Sequence, residues 1–240
     1  MATAHRLDFP SSRMEQTLTR AIEQRRATDH FEDTPLPVED LAAILRAGLE
    51  APSGYNLQPW RFVVVQDAEQ KKRLREAAMN QPKVEEAPVI IVACGDPQGW
   101  KSGDLDKMLQ MAVAHHFGTP EIHEQVRNTV TAVLSGPAGN AMGVSPDWAV
   151  WVNRHVMIAF TTMMWMAEVL GYDTAPMEGF FEDKVRAVLN IPEHIRVVAL
   201  LAIGRRKGPD KAYGGRFGPD RTCFSDRWGK ELEFSSLLLG

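Results

Sequence analysis

Hydrophobic and polar residues follow two patterns along the chain, one with the period of a helix and one of continuous apolar runs. The helical pattern predicts helices at residues 14–25, 38–50, 105–117, 122–134 and 148–170. Asp67 is placed to cap a further, highly charged helix that ends near Asn80. A last helix begins at residues 181–184 and stops at Asn190, ahead of Pro192.

Three apolar runs predict the strands of one sheet, at residues 61–66, 88–94 and 197–203. The run at 88–94 is apolar at every position, which is typical of a central strand covered by helices on both faces. A short extended segment is expected within residues 171–180. This order of elements predicts an α+β fold with a central mixed or antiparallel sheet flanked by helices, formed by a single domain over residues 1–240.

Three regions suggest lids and subunit contacts. Residues 95–146 hold helical patterns and then the irregular Gly136, Gly139 and Gly143, and we expect a lid or excursion there. Residues 208–240 form a polar tail with aromatic residues, which we expect to wrap a neighbouring subunit. The helix at 148–170 is apolar on more than one face, which fits either a subunit interface or the central helix of one core.

Composition and charge exclude several classes of protein. The net charge is −4 and the basic residues are spread out, so neither nucleic acid nor an anionic membrane is expected as a partner. The first ten residues lack the apolar core of a signal peptide, and the most apolar region, 156–170, is too short to span a bilayer. Cys94 and Cys223 fit no disulfide framework or metal spacing, which favours a reducing, cytoplasmic setting. Three histidines match no common metal site and are interpreted as surface residues, namely His115, His116 and His123.

Residues 51–60 form a loop with unusual chemistry between a helix and a strand. Two prolines and a glycine fix its course, at Pro52, Pro59 and Gly54. Between them lie side chains that both donate and accept hydrogen bonds, namely Ser53, Tyr55, Asn56 and Gln58. Such a loop suits the edge of a flat heteroaromatic ligand, or it is a connector whose polar side chains bond their own backbone.

Arg25 and Arg26 place two guanidinium groups at the end of the first predicted helix. Paired arginines suit phosphate, because each presents a planar fork of donors. The alternative is a solvated, positively charged helix end that the helix dipole favours.

Four segments, in this order, resemble the FMN-dependent nitroreductase family over residues 25–221. Arg25–Thr28 is similar to the family's Arg-Arg-Ser phosphate motif, with Ala27 in place of serine. Residues 51–60 are similar to its Pro-Ser-x-x-Asn-x-Gln-Pro-Trp loop, which is the most specific match. Asn80 and Lys83 resemble the pair that reaches the flavin's pyrimidine side, and residues 170–180 resemble the Leu-Gly…Pro-x-Glu-Gly segment. Asp29 departs from the family, where many members carry a basic residue.

The resemblance implies a nitroreductase-like fold and an interlocked homodimer with FMN at the subunit interface. It implies that Arg25, Arg26, the backbone of Ala27 and Arg221 hold the phosphate, with Arg216 and Arg205 as weaker candidates. The flavin ring and its polar edges would be contacted by the remaining residues of the motifs, namely Pro52, Ser53, Gly54, Asn56, Asn80, Lys83, Pro176, Met177, Glu178 and Gly179.

The resemblance also implies the chemistry. Lys83 would stabilise the negative charge that reduction places on the flavin, and the backbone N–H of Glu178 or Gly179 would meet flavin N5. No side chain acts as a nucleophile in this scheme, and no metal is needed. NADH or NADPH would reduce FMN in a ping-pong cycle, and a nitroaromatic, quinone or related electrophile would then be reduced. Alternatives are a specialised member, such as a reductive dehalogenase, a flavin-destroying enzyme or a conjugated-carbonyl reductase, and a non-catalytic flavin-binding module.

Overall fold

The structure is a computed structural model that describes residues 17–135 and 148–232. The predictions made on Gly136, Gly139 and Gly143 therefore lie outside the described residues, as do residues 14–16 and 233–240. The chain divides into two compact units, one ending at Asp210 and one beginning at Lys211. Whether residues 95–146 are a lid and whether the tail wraps a partner stay predictions.

The helices of the first unit, numbered in chain order, are α1 Leu18–Gln24, α2 Val38–Leu49, α3 Ala68–Ala77, α4 Pro82–Glu86, α5 Leu105–Ala114, α6 Pro120–Ser135, α7 Trp148–Val169 and α8 Glu182–Leu189. The strands are β1 Trp60–Val65, β2 Val89–Gly95, β3 Asp173–Met177 and β4 Arg196–Gly204. In the second unit, α9 spans Pro219–Thr222.

The four strands form one sheet in the order β1-β2-β4-β3, and each neighbouring pair is antiparallel. The α+β class is confirmed, and of the two predicted sheet types the antiparallel one is found. β2 is buried at every position, as its unbroken apolar sequence predicted. The predicted extended segment forms β3, an edge strand whose Pro176 is exposed, as suits a residue that donates no ladder hydrogen bond.

The sheet separates two parts of the core because successive side chains of a strand point to opposite faces. On one face, Val89 and Ile91 of β2 pack in a cluster with residues of α2, α5, α6 and α7. On the other face, Ile90 and Val92 pack with residues of α3, α4 and α8. Gly95 permits the closest approach of α7, because a Cβ there would lie 2.0 Å from Cγ1 of Val152.

Helix α7 is buried on one side and partly exposed on another. Val152, Val156, Ala159 and Met163 are fully buried, which fits the central helix of one core. Val150 and Ile158 are among the exposed large apolar residues, at 37% and 42% exposure. Both interpretations of its apolar sequence are therefore compatible with the helix.

Two predictions of local structure need correction. The charged helix after Asp67 is capped as expected, with the Asp67 carboxylate accepting from Gln70 N–H at 2.9 Å, but it ends at Ala77. No helix was predicted at residues 82–86, yet Lys83 lies in the first turn of α4, with Pro82 at the first helical position. A five-residue helix is too short to show helical periodicity in the sequence.

Candidate functional site

The residues that follow α1 extend the edge of the sheet beside β3. Ala27 forms a parallel bridge with Thr174, and Thr28 N–H donates to the Thr174 carbonyl at 3.0 Å. Backbone pairing thus fixes the Arg25–Thr28 segment to a rigid strand. Because Ala27 carries no hydroxyl, only its backbone can bond a ligand.

The two arginines of this segment differ in what they already bind. The Nη1 atom of Arg25 is buried and has no hydrogen-bond partner in the structure. Arg26 Nη1 donates to the carbonyls of Glu23 and Arg25, both at 2.9 Å. An unsatisfied buried donor is destabilising, so the Arg25 guanidinium is the donor that gains most from an anionic acceptor. A donor of this kind is suited to a hydrogen bond with a flavin phosphate oxygen.

Lys83 lies beside Asp29, the residue that departs from the family pattern. Its Nζ atom is 3.8 Å from Asp29 Oδ1, and its side chain is only 15% exposed. The contact joins α4 to the stretch that continues from the Arg25–Thr28 segment. Two predicted site segments that are 50 or more residues apart in the chain are thereby brought together.

The end of β3 completes this assembly. Gln81 donates from Nε2 to the Gly179 carbonyl at 2.8 Å, and Phe181 N–H donates to the Ala77 carbonyl at 2.9 Å. Among the described hydrogen bonds, none uses the N–H of Gly179 as a donor. We call the grouping of residues 25–29, 80–83 and 176–179 the arginine corner.

The loop at residues 51–60 is held largely by bonds within itself. Gln58 N–H donates to Ser53 Oγ at 3.0 Å, and Gln58 Nε2 lies 3.3 Å from Asn56 Oδ1. Tyr55, Asn56 and Gln58 all have left-handed backbone angles, with φ of 54°, 55° and 48°. Three such non-glycine residues in one loop store conformational strain, a feature of ligand-binding sites. Pro52, Tyr55 and Asn56 remain exposed.

The Arg25–Thr28 part of the arginine corner and the loop lie at opposite corners of the sheet, whereas Met177, at the other end of β3, pairs with Leu200, only four residues from Arg196. Trp60, at the end of the loop, pairs with Gly95, which pairs with Arg196 at the beginning of β4. Thr174, which holds the arginine corner, pairs with Ile203 near the end of β4. Seven residue steps along β4, roughly 24 Å, separate these positions. The loop is also on the β1 edge and the arginine corner on the β3 edge, three strand spacings or roughly 14 Å apart.

The length of helix α7 gives a second, independent measure of this separation. A Cβ on Gly54 would lie 3.1 Å from Nε2 of His155, in the first half of the helix. Thr174 donates from its hydroxyl to Oε1 of Glu168, in the last turn, at 2.6 Å. The thirteen residue steps between these two α7 residues correspond to about 20 Å.

The sheet itself also lies between parts of the two regions. Leu57 and Trp60 pack in the core on the α7 face, whereas Val84 and Met177, neighbours of Lys83 and Glu178, pack in the core on the opposite face. Within one chain, therefore, the structure brings together the Arg25, Lys83 and Gly179 segments. It does not bring the loop at residues 51–60, here called the Asn56 loop, to the same place.

The three further arginine candidates lie in two different units. Arg205 is in the first unit, where its carbonyl accepts from Glu32 N–H at 2.8 Å and its guanidinium carbon lies 5.5 Å from the Tyr172 ring centre. In the second unit, Arg221 lies over Phe217 at 4.6 Å and Arg216 over Tyr213 at 5.6 Å. The assignment of the phosphate to one of these three remains a prediction.

Sequence reasoning missed three residues that organise the site. Gln81 was an unassigned position between Asn80 and Lys83, yet it anchors Gly179. His155 packs against both the loop and Trp151, with ring centroids 4.3 Å apart. Glu168 is 5% exposed at the end of α7. Of the three, only Glu168 gave a signal, as an acidic residue inside an apolar helix.

The pKa of the Glu168 carboxyl is strongly raised. Burial raises the pKa of its carboxyl from 4.5 to about 7, against the hydrogen bond from Thr174. Asp173 raises this pKa further and Arg25 lowers it. A carboxyl that titrates near neutral pH thus lies behind the arginine corner.

The described residues hold no group of three or more histidine, cysteine or acidic side chains able to bind a metal ion. No helix in the same ranges is both long and apolar enough to cross a membrane.

Comparison with known proteins gives consistent matches. The sequence profile of the Nitroreductase family matches residues 22–205. A protein named NADH dehydrogenase from Thermus thermophilus is 35% identical over 181 residues, covering 75% of this chain and 82% of that protein. Protein DrgA from Synechocystis is 28% identical over 187 residues, 78% of this chain and 82% of that protein. Among solved structures, a nitroreductase-type protein in complex with FMN from Exiguobacterium sibiricum superimposes with a TM-score of 0.67 at 24% identity, covering 82% of this chain and 93% of that chain.

Proposed function

The chain belongs to the nitroreductase family and is an NAD(P)H-dependent oxidoreductase that uses FMN, and we propose that it reduces electrophilic acceptors such as nitroaromatics and quinones in a ping-pong cycle. The observation that carries the proposal is the arginine corner, which brings together an arginine with one buried nitrogen that has no hydrogen-bond partner, a lysine and a backbone turn. Bound FMN would supply the chemistry, by accepting a hydride from the nicotinamide donor and passing it to the acceptor.

Arg25 and Arg26 hold the phosphate end of the cofactor in this proposal. Arg25 is the stronger contributor, because its Nη1 exchanges an unsatisfied buried state for a charge-assisted hydrogen bond. Arg26 must share its guanidinium with two backbone carbonyls. Ala27 contributes only backbone.

Lys83 supplies positive charge where negative charge develops during reduction. Its position in the first turn of α4 and its low exposure make it preorganised, so little reorganisation accompanies electron transfer. Asp29, 3.8 Å away, partly offsets that charge. The family departure at position 29 thus tunes the redox step rather than phosphate binding.

The backbone at Glu178 and Gly179 orients the ring. Gln81 fixes the Gly179 carbonyl and thereby orients the peptide unit that follows Gly179, while none of the described hydrogen bonds uses the Gly179 N–H as a donor. A rigid backbone donor can support the hydride-transferring edge of a flavin without a side chain that titrates.

The complete flavin site requires two copies of the chain. The loop that would contact the flavin ring is roughly 20 Å or more from the phosphate-binding segment of the same chain, measured along either β4 or α7. A homodimer places the loop of one copy against the arginine corner of the other. Support comes from exposed apolar residues on α1 and α7, namely Leu18, Ile22, Val150 and Ile158.

Purified protein tests the enzymatic function directly. The full-length chain should bind FMN, and NADH or NADPH added without oxygen should bleach the visible absorption of the oxidised flavin. Adding a quinone or a nitroaromatic compound should restore the absorption. A flavin that neither nicotinamide bleaches would favour a binding module, and protein that binds no FMN would contradict the cofactor assignment.

The choice of acceptor distinguishes the specialised alternatives. A panel of nitroaromatics, quinones, enones and halogenated phenols should be offered to the reduced protein under single-turnover conditions. Fast reoxidation by quinones and nitroaromatics supports the proposal. Reoxidation by enones or halogenated phenols alone would replace it with the corresponding specialised activity.

A further inference from the structure

Glu168 is a buried carboxyl directly behind the segment assigned to phosphate. Its Oε1 accepts the Thr174 hydroxyl at 2.6 Å. The same Thr174 bridges Ala27, and its carbonyl accepts from Thr28 N–H. One threonine therefore links the carboxyl to the backbone of the arginine corner.

The charged groups around Glu168 come from three directions. Arg25, after α1, favours the ionised form of Glu168, and Asp173 on β3 disfavours it. Asp173 is itself engaged by Arg206, whose Nε is 3.4 Å from Oδ1. On the α2 side, Asp40 accepts the hydroxyl of Tyr172 at 2.7 Å. Arg25 is thus a cation that supports a negative charge on Glu168, and its Nη1 atom is also a buried donor without a hydrogen-bond partner.

A phosphate bound at Arg25 changes this balance. The guanidinium still attracts the buried carboxylate, but an anion bound beside it partly cancels its favourable field at Glu168. A phosphate brings up to two negative charges to the same cation and adds like-charge repulsion. Protonation of Glu168 removes that repulsion and keeps the carboxyl oxygen as an acceptor for Thr174.

We propose that Glu168 is a positioning residue of the phosphate end of the site, and that it takes up a proton when an anionic flavin phosphate binds at Arg25. The proposal rests on the proposed function. It links the affinity for FMN to pH through a residue that does not touch the cofactor.

The direction of the linkage follows from proton binding. The complex holds the Glu168 proton more tightly than the free protein does, so FMN binding weakens as the pH rises above about 7. The limiting slope is one proton, or about tenfold in Kd per pH unit. Replacement by glutamine keeps the acceptor for Thr174 but removes the slope.

Isothermal titration calorimetry of the flavin-free full-length chain measures the uptake. FMN is titrated at pH 7.5 in two buffers of different ionisation enthalpy, and the difference in observed heat gives the protons bound. The wild-type chain should take up a large fraction of one proton per site, and Glu168→Gln markedly less. Phosphate monoesters lose their second proton near pH 6, so FMN itself contributes little at pH 7.5. Riboflavin, which lacks the phosphate, is the matched ligand control and should show no uptake that depends on Glu168.

Equal uptake by the wild-type and Glu168→Gln chains would overturn the proposal, as would equal uptake with FMN and riboflavin. Thr174→Val provides a second variant should Glu168→Gln fold poorly. Loss of the hydroxyl disfavours the ionised carboxyl, so the pH range of proton uptake should move upward; an unchanged range would contradict the role. A wild-type chain that binds no FMN would contradict the proposed function, whereas binding without uptake would contradict only this inference.

Discussion

The arginine corner and the Asn56 loop are built in opposite ways. The loop is one continuous stretch, stabilised by bonds such as Gln58 N–H to Ser53 Oγ, and it stores strain in left-handed residues. The arginine corner is assembled from three segments joined by β pairing and by the Gln81 to Gly179 bond, and it leaves a buried guanidinium nitrogen unsatisfied. The loop presents a preformed shape, and the arginine corner presents a hydrogen-bond donor without a partner.

This difference explains why the two regions were not equally visible in the sequence. A continuous loop carries its prolines, glycine and polar residues in consecutive positions, so its character can be read directly. The bond between Gln81 and Gly179 spans 98 residues and depends on how α4 meets β3. No local pattern records such a contact.

The largest effect on FMN binding is expected from removing the unsatisfied donor. Arg25→Ala should weaken FMN binding by roughly 2–3 kcal/mol, or about 30- to 150-fold, because a hydrogen bond to a charged group is lost. Arg26→Ala should weaken it less, since that guanidinium is already engaged. Fluorescence titration of flavin-free protein measures both, with Arg73→Ala, at an exposed position of α3, as the control. Unchanged affinity in Arg25→Ala would remove the phosphate from this corner.

Glu168 should make the stability of the flavin-free chain depend on pH. Its pKa is about 7 in the folded chain and its ordinary value is 4.5, so the folded state binds the proton more tightly. The unfolding free energy should therefore fall as the pH rises from about 4.5 to about 7, by at most about 3 kcal/mol, and level off above.

The unfolding free energy of Glu168→Gln should not show that fall. Relative to the wild type, the variant should therefore be more stable at pH 8 than at pH 5. Urea unfolding at a fixed protein concentration measures the difference, and the exposed Glu193→Gln is the control. Parallel curves for the wild type and Glu168→Gln would show that the carboxyl is not perturbed.

The Lys83–Asp29 pair should shift the midpoint potential of bound FMN in opposite directions. Lys83→Ala should lower it and Asp29→Asn should raise it, because the two charges act oppositely on the negative charge of the reduced cofactor. An electrostatic change of about 1.4 kcal/mol corresponds to about 30 mV for a two-electron couple, so shifts of this order are expected. Redox titration with indicator dyes measures them. Shifts of the same sign in both variants would contradict the assignment.

The smallest effect concerns strain in the loop. Tyr55 has φ of 54° and is 39% exposed, so Tyr55→Gly should relieve the left-handed strain with little loss of packing. We expect the chain to become up to about 1 kcal/mol more stable and its FMN affinity to change little. Thermal unfolding measures the first and fluorescence titration the second. Clear destabilisation would mean that the Tyr55 ring, rather than the backbone, determines the loop.

Much of the fold could be predicted from local pattern. The strand at residues 88–94 is central because its apolar run requires cover on both faces, and Asp67 caps α3 as its position indicated. The helix α4 could not be predicted, since five residues show no periodicity and Pro82 looks like a turn signal. The candidate residues came from resemblance, but their division between two corners depends on strand register, which arises only when the sheet forms.

Subunit complementation tests the two-copy site most directly. One chain carries Arg25→Ala with Arg26→Ala, and the other carries Asn56→Ala with Ser53→Ala; each is purified alone and then with the other as a mixed dimer, separated by two affinity tags. If each site combines the corner of one chain with the loop of the other, the mixed dimer has one intact site and one doubly damaged site. We predict that it regains about half of the wild-type high-affinity FMN and of the flavin bleached by NAD(P)H, while the parent homodimers bind weakly. A mixed dimer that binds no more FMN than the parent homodimers would show that the arginine corner of one chain and the Asn56 loop of the other do not contact the same flavin.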